Sequence, residues 1–192
     1  MKIILATWNT AKFKWLSEGF SKVNLPIASI NKEKIEEVEE NGKTCQENVL
    51  IKVRAVGSVP NAIVIGEDSG LFIDALNGFP GVKTVRWMDG SDDDRSIKIL
   101  EKMKPIPIEN RTARFLSAIA LLLPDGQEKV FLGKLEGSIS SKLVGNIGKG
   151  YQRIFLLKNG KTIAESGSSI VKKNDHRDKS MKSAIKFISN MI

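Results

Sequence analysis

The sequence predicts a mixed α/β fold, and three observations carry that prediction. Strand-like and helix-like segments alternate along the length, from a KIILA run near the N-terminus to a helical period at the C-terminus. The 192 residues are 41% hydrophobic and 27% charged, proportions of a folded chain that builds a core without staples. No internal repeat, low-complexity tract or linker interrupts the pattern, so a single domain is expected over residues 1–192.

Residues 2–6 are an apolar run read as a short buried strand, and Thr7-Trp8-Asn9-Thr10 break it. Asn9 or Thr10 caps a helix in which Phe13, Leu16 and Phe20 recur at helical spacing. Strand, polar turn and helix open an α/β unit and set free helix amides at the end of a strand. Residues 31–43 are polar and acidic and end in Asn41-Gly42, a loop. Thr44-Cys45-Gln46-Glu47 spells a capping box, and Val49, Leu50, Val53 and Val56 make one helical face. Residues 62–65 are a β-branched strand that runs straight into Gly66-Glu67-Asp68-Ser69-Gly70, so two carboxylates stand at the strand's end. Asn77-Gly78-Phe79-Pro80-Gly81 is a turn cluster. Asp92-Asp93-Asp94 precede a helix carrying Ile97, Leu100 and Met103, acids at the favoured end of the dipole.

Residues 111–123 read as a strand, because Pro124-Asp125-Gly126 and residues 129–135 follow as the rest of a hairpin. Residues 145–150 form a loop. Residues 153–157 and 162–164 flank Lys158-Asn159-Gly160-Lys161, a second hairpin signal. The last helix spans about residues 175–191, with Met181, Ile185 and Ile188 inward.

The net charge is +8, and it is unevenly spread. Residues 1–128 hold 17 basic and 18 acidic side chains, whereas residues 129–192 hold 13 and 4. The basic third has no run of five Lys or Arg. It suits a solvated face, a pocket for a polyphosphate or a nucleic-acid surface. The one cysteine, Cys45, makes no internal disulfide, which leans toward a reducing compartment. No apolar run reaches the ~20 residues of a membrane span. MKIILATWN turns polar too soon for a signal peptide. A cytoplasmic, membrane-free protein is expected.

Three constellations carry chemistry. Glu67-Asp68-Ser69-Gly70 pairs two carboxylates whose repulsion a hard divalent cation such as Mg2+ relieves, although a solvated polar turn has the same letters. The acidic stretch of residues 36–40 offers a further ligand, Glu40, or an exposed charged loop. Thr7-x-Asn9-x-x-Lys12 gathers a hydroxyl, an amide and an ammonium beside free helix amides, a set that suits a phosphate chain and equally a plain cap. It lacks the Walker spacing. His176-Arg177, with the only histidine, offers directed donors that select a purine oxygen over an amino group, although most lone histidines have no catalytic role. Nothing around Cys45 lowers its pKa, so it reads as structural.

The order of the segments is more specific than any one of them. Leu5-Ala6-Thr7-x-Asn9-x-x-Lys12 comes first, then Thr44-x-x-Glu47-Asn48 with Lys52. Glu67-Asp68-Ser69-Gly70-Leu71 and Asp74-Ala75-Leu76-Asn77-Gly78-Phe79-Pro80-Gly81-Val82 follow. Arg114-Phe115, Glu136-Gly137-x-Ile139, Gly148-x-Gly150-Tyr151-x-x-Ile154-Phe155 and His176-Arg177 complete the series. This order resembles the inosine triphosphate pyrophosphatase family, also called the Ham1 or non-canonical purine NTP pyrophosphatase family, over essentially the whole chain. The resemblance implies an elongated α/β homodimer, with a mixed sheet flanked by helices and a cleft between two lobes. It implies Mg2+-dependent hydrolysis of ITP, dITP and XTP to the monophosphate and pyrophosphate, which keeps deaminated purines out of nucleic acids. By the family pattern Thr7, Asn9 and Lys12 hold the triphosphate. Asp68 is the proton acceptor, and with Glu67 and Glu40 it lies near the metal. Ser69 contacts substrate, Tyr151 lies in the base-binding loop, and His176 with Arg177 contact the base.

The chain departs from the family in its pockets. The family loop reads G-F-G-Y-D-P-I-F, whereas here it is Gly148-Lys149-Gly150-Tyr151-Gln152-Arg153-Ile154-Phe155. Lys149 stands where a ring stacks on the purine, and Gln152 replaces an acid. Trp8 takes a place that is often Gly, and Asp175 that of a Ser. A family lysine five residues before the histidine falls on Val171, with Lys172 and Lys173 beside it. Lys149, Gln152 and Lys172 therefore join the candidate substrate contacts. Two other readings share the fold: the same hydrolysis on another modified nucleotide, and a non-catalytic nucleotide- or RNA-binding protein. Retention of Lys12, Glu67 and Asp68 favours catalysis.

Overall fold

A computed structural model describes residues 1–30, 35–146, 148–167 and 175–192. Its elements alternate as the sequence predicts. They are β1 (Lys2–Leu5), α1 (Thr10–Phe20), β2 (Ile27–Ser29), α2 (Cys45–Val56), β3 (Ala62–Ile73), β4 (Pro80–Gly81) and α3 (Asp92–Met103), then β5 (Thr112–Leu122), β6 (Glu128–Ile139), β7 (Phe155–Leu156), α4 (Ile163–Ser166) and α5 (His176–Met191). The sheet order among the described residues is β2-β1-β3-β5-β6-β7, with β4 beside β3. It is mixed: β1 runs parallel to β2 and β3, while β3–β4 and β6–β7 are antiparallel. Among the described residues no helix is long and apolar enough to cross a membrane.

The chain divides into two compact units. The first holds Met1–Asp68, Ser117–Gly133 and Lys179–Ile192; the second holds Ser69–Leu116 and Lys134–Asp178. The core of the first places Ile63 and Ile65 of β3 with Leu16 and Phe20 of α1 and with Met181 and Ile188 of α5. Burial of each such side chain contributes roughly 1.5–3 kcal/mol. The core of the second collects Leu71 and Ile73, Ile99 and Met103 of α3, and Phe115, Tyr151 and Phe155. The helix caps follow the sequence. Asn9 caps α1, and Thr44 with Glu47 closes the capping box of α2.

Three local expectations are corrected. The strand expected to stop at residue 65 continues through Gly66-Glu67-Asp68-Ser69-Gly70 to Ile73, so the polar stretch is no turn. The two glycines reflect close approach instead. A Cβ on Gly66 would sit 3.1 Å from the Val49 and Val53 side chains of α2, and one on Gly70 would strike the Gly81 carbonyl of β4. In α3 the three aspartates form the first turn under a Ser91 cap, and the buried positions are Arg95, Ser96, Ile99 and Met103, while Ile97 is exposed. Residues 162–164 do not form the second arm of a hairpin. Only Thr162 bridges Leu156, after which a capping box of Thr162 and Glu165 starts α4.

Candidate active site

The ladder between β1 and β3 ends where the Ala6 N–H donates to the Ile65 carbonyl at 2.7 Å. Past that point β1 turns away. The buried Thr7 hydroxyl accepts from the Asn9 N–H at 3.3 Å, and Asn9 Oδ1 accepts from the Lys12 N–H at 3.0 Å. This cap holds Lys12 in the first turn of α1. β3 continues beyond the end of β1, and its next residues past Gly66 are Glu67 and Asp68.

Strand geometry sends these neighbours to opposite faces. Glu67 follows Ile63 and Ile65 toward α1, where Lys12 Nζ lies 2.9 Å from its Oε2. Asp68 follows Val64 and Gly66 toward α2. There its Oδ1 lies 3.0 Å from Lys52 Nζ, and its Oδ2 accepts from Asn48 Nδ2 at 3.5 Å. Lys52 Nζ also reaches Glu40 Oε2 at 3.1 Å, and both lysines donate to the Glu67 carbonyl, at 3.2 Å from Lys52 and 3.5 Å from Lys12. Three carboxylates and two ammonium groups thus form one network, in which Glu67, Asp68 and Lys52 are buried. Burial pushes the Asp68 carboxyl above the usual aspartate range; Lys52 and Lys12 oppose that push, and Glu40 adds to it. The Cys45 thiol, buried nearby, is pushed up to about 12 by burial and then by Asp68 and Glu67, so it stays a neutral thiol.

A second set of expected residues lies in the second unit. Ser69 Oγ accepts from Arg177 Nη2 at 2.8 Å. The His176 ring stacks on Phe115, with centroids 5.0 Å apart and planes 14° from parallel. Asp175 caps α5 by accepting from the Asp178 N–H at 2.8 Å, and burial raises its carboxyl. In the loop, Gln152 Oε1 accepts from the Lys149 N–H at 3.1 Å, and the Lys149 side chain is exposed. The Gly150 N–H donates to Asp92 at 2.6 Å. Tyr151 is buried in the core, its hydroxyl donating to the Thr84 carbonyl at 2.6 Å and accepting from Trp87 Nε1 at 2.8 Å. Arg153 pairs with Asp93 and donates to the Gly145 carbonyl at 2.8 Å. A cavity of about 310 Å³ lies beside this loop, lined by Ser91, Asp92, Asp93, Asn146, Gly148 and Arg153. Lys172 and Lys173 lie outside the described residues.

The structure therefore brings Lys12, Glu40, Glu67 and Asp68 together, with Thr7 and Asn9 at the start of α1. It adds two residues to which the sequence assigned no role, Asn48 and Lys52. Their signal is present in the letters. Both fall at three- and four-residue spacing on the stripe of α2 that buries Cys45, Val49 and Val53, where a polar residue needs a partner.

The Ham1 family model matches residues 3–187. The chain belongs to the Ham1 family. Two of its relatives are each 38% identical to it. One is named non-canonical purine NTP pyrophosphatase homolog, from Halalkalibacterium halodurans, matched over 100% of this chain and 97% of that protein. The other is a dITP/XTP pyrophosphatase from Symbiobacterium thermophilum, matched over 94% of this chain and 91% of that protein. Among solved Ham1 structures, the Staphylococcus aureus protein superposes with a TM-score of 0.89 at 30% identity, covering all of both chains. The Coxiella burnetii protein superposes with a TM-score of 0.88 at 27% identity, over 99% of each. The Ham1 fold thus accounts for the mixed sheet and its flanking helices.

Proposed function

We propose that this chain is a nucleoside triphosphate pyrophosphatase that removes non-canonical purine nucleotides, ITP, dITP and XTP, from the nucleotide pool. The observation that carries the reading is the buried acid–lysine network at the end of β1, in a chain whose relatives are named for this activity. Buried charges of both signs suit a ligand that itself brings both signs, a polyphosphate with its counter-cation.

The reading calls for a divalent cation, Mg2+. The donor set fits it. Glu67, Asp68 and Glu40 supply hard oxygens, and the three carboxylates outnumber the two lysines paired with them. Among the described residues no group of three or more such ligands converges on one point, so a bound Mg2+ would draw its remaining ligands from water and substrate phosphates. When bound, Mg2+ neutralises charge that develops on the phosphates.

The protein residues do the rest. Lys12 and the first amides of α1 hold phosphate oxygens, with Thr7 and Asn9 shaping that turn. Lys52 and Asn48 hold the Asp68 carboxylate. Asp68 accepts a proton from water as its oxygen attacks the α-phosphorus, the α–β anhydride bond breaks, and pyrophosphate leaves. A carboxyl raised by burial is a stronger base than an exposed aspartate. Ser69, Tyr151, His176 and Arg177 take the substrate contacts implied by the family pattern, and Lys149, Gln152 and Lys172, where the chain departs from that pattern, are further candidate contacts. The exposed Lys149 favours a second reading of substrate, the same hydrolysis on another modified purine. A homodimer belongs to the proposal, and light scattering tests it.

A panel of ITP, XTP, dITP, ATP, GTP and dUTP, assayed for both pyrophosphate and orthophosphate, tests the function. We expect pyrophosphate release, with kcat/KM for ITP or XTP at least about 100-fold above ATP. Orthophosphate alone, or no turnover with salt-dependent binding to oligonucleotides, overturns the proposal.

A further inference from the structure

Two serines with no place in the mechanism above sit against Glu67. Ser117 of β5 and Ser180 of α5 are both fully buried. Ser117 Oγ donates to Glu67 Oε1 at 3.3 Å, and the two serine oxygens lie 3.0 Å apart. They stand where the apolar face of the first unit meets the acid, next to Ile65, Ile119 and Met181 of its core. Alanine at either position would avoid burying a hydroxyl, so the pair calls for a reason.

We propose that Ser117 is a positioning residue for the Glu67 carboxylate, and that Ser180 acts through Ser117. Glu67 is bound from two sides. Oε1 takes the Ser117 proton, and Oε2 takes the Lys12 ammonium. Contacts on separate oxygens fix the plane of the carboxylate. Ser117 has a single proton, and Glu67 receives it, so the Ser180 hydroxyl donates to Ser117. That donation removes the alternative in which Ser117 turns its proton away from the acid. When substrate draws Lys12 onto phosphate, Ser117 still holds Glu67 aimed for a cation. The inference rests on the pyrophosphatase reading in taking Glu67 as a metal-binding group.

The test is Mn2+ binding to the folded protein, followed by electron paramagnetic resonance, beside the Mn2+ midpoint of turnover. Ser117→Ala is expected to weaken Mn2+ binding about 10-fold, the lower end of the loss seen when hydrogen-bond partners of metal ligands are removed. Ser180→Ala, mild for a helix, is expected to weaken it less. The double variant should match Ser117→Ala, because the proposed relay reaches Glu67 through the Ser117 hydroxyl. Ser117→Thr, which keeps the hydroxyl, should restore binding, and melting temperatures identify any variant that fails to fold. Unchanged Mn2+ affinity in Ser117→Ala, or a Ser180→Ala effect that persists in full without the Ser117 hydroxyl, overturns the proposal. The nucleotide panel separates the two readings. A wild-type protein that binds Mn2+ with these responses but cleaves no nucleotide refutes the function and leaves the serine relay standing.

Discussion

In the first unit, Glu67 and Asp68 project from a regular strand into buried surroundings, where Lys12 and Lys52 meet them. In the second, Lys149, Gln152 and Arg153 project from a loop. Gln152 is spent on the loop's own Lys149 N–H, and Arg153 on Asp93 and the Gly145 carbonyl. The first region is preorganised, since Lys12 and Lys52 lie on helices and the acid pair on a strand, with Glu67, Asp68 and Lys52 buried. Charge interactions there are strong, and so is the penalty for disturbing them. The second is a scaffolded loop whose member Lys149 has an exposed side chain. Under the proposed function, the first region carries the chemistry and the second discriminates between bases.

Substitutions break or sharpen this contrast. Asp68→Asn carries the largest expected effect. Turnover should fall at least about 1,000-fold while circular dichroism and oligomeric state stay unchanged. Near-normal kcat in that variant would move the chemistry out of the first region.

Lys52→Met comes next, because it strips counter-charge from buried Asp68 and from Glu40. Urea unfolding should show a loss of about 3–5 kcal/mol, the range for breaking one side of a buried pair. A loss under about 1 kcal/mol would put this network in the class of surface pairs.

Lys149→Ala should leave the urea midpoint where it is. It should shift the ratio of kcat/KM between two purine triphosphates by about 10-fold, the scale of a single pocket contact. Competition assays on mixed nucleotides read that ratio directly, and an unchanged ratio would remove Lys149 from base selection.

At neutral pH the smallest effect belongs to Cys45. Burial, then Asp68 and Glu67, push its thiol up from an ordinary 9.0 to about 12, so the folded state holds the proton longer. The stabilisation is complete below pH 9 and is lost as pH rises toward 12. Cys45→Ala should flatten the decline of melting temperature over that window. At pH 8 the native wild-type thiol should resist a disulfide reagent that labels the unfolded chain within minutes.

Much of the fold was legible because its signals are local. The Asn9 cap, the Thr44–Glu47 box, the 3.6-residue period of α5 and the turn after β5 each depend on residues within one or two turns of chain. The site was legible in part for the same reason: Lys12 sits where the Asn9 cap puts it, and the acid pair follows a strand. Asn48 and Lys52 were visible as polar residues on an otherwise apolar stripe, but their partner lies 20 and 16 positions away. Ser117 was less visible still, since its partner Glu67 is 50 positions distant.

The sequence by itself determined the alternation of strands and helices, the caps that start the helices and the order of motifs that marks the Ham1 family. Tertiary structure alone decided that Gly66-Glu67-Asp68-Ser69-Gly70 is strand. In isolation two glycines around two acids favour a turn, because nothing nearby meets their charge and glycine weakens a strand. In the folded protein α2 packs closely over Gly66, Lys12 arrives from 55 positions away and Lys52 from 15, and the strand runs on through charges that remote elements have neutralised.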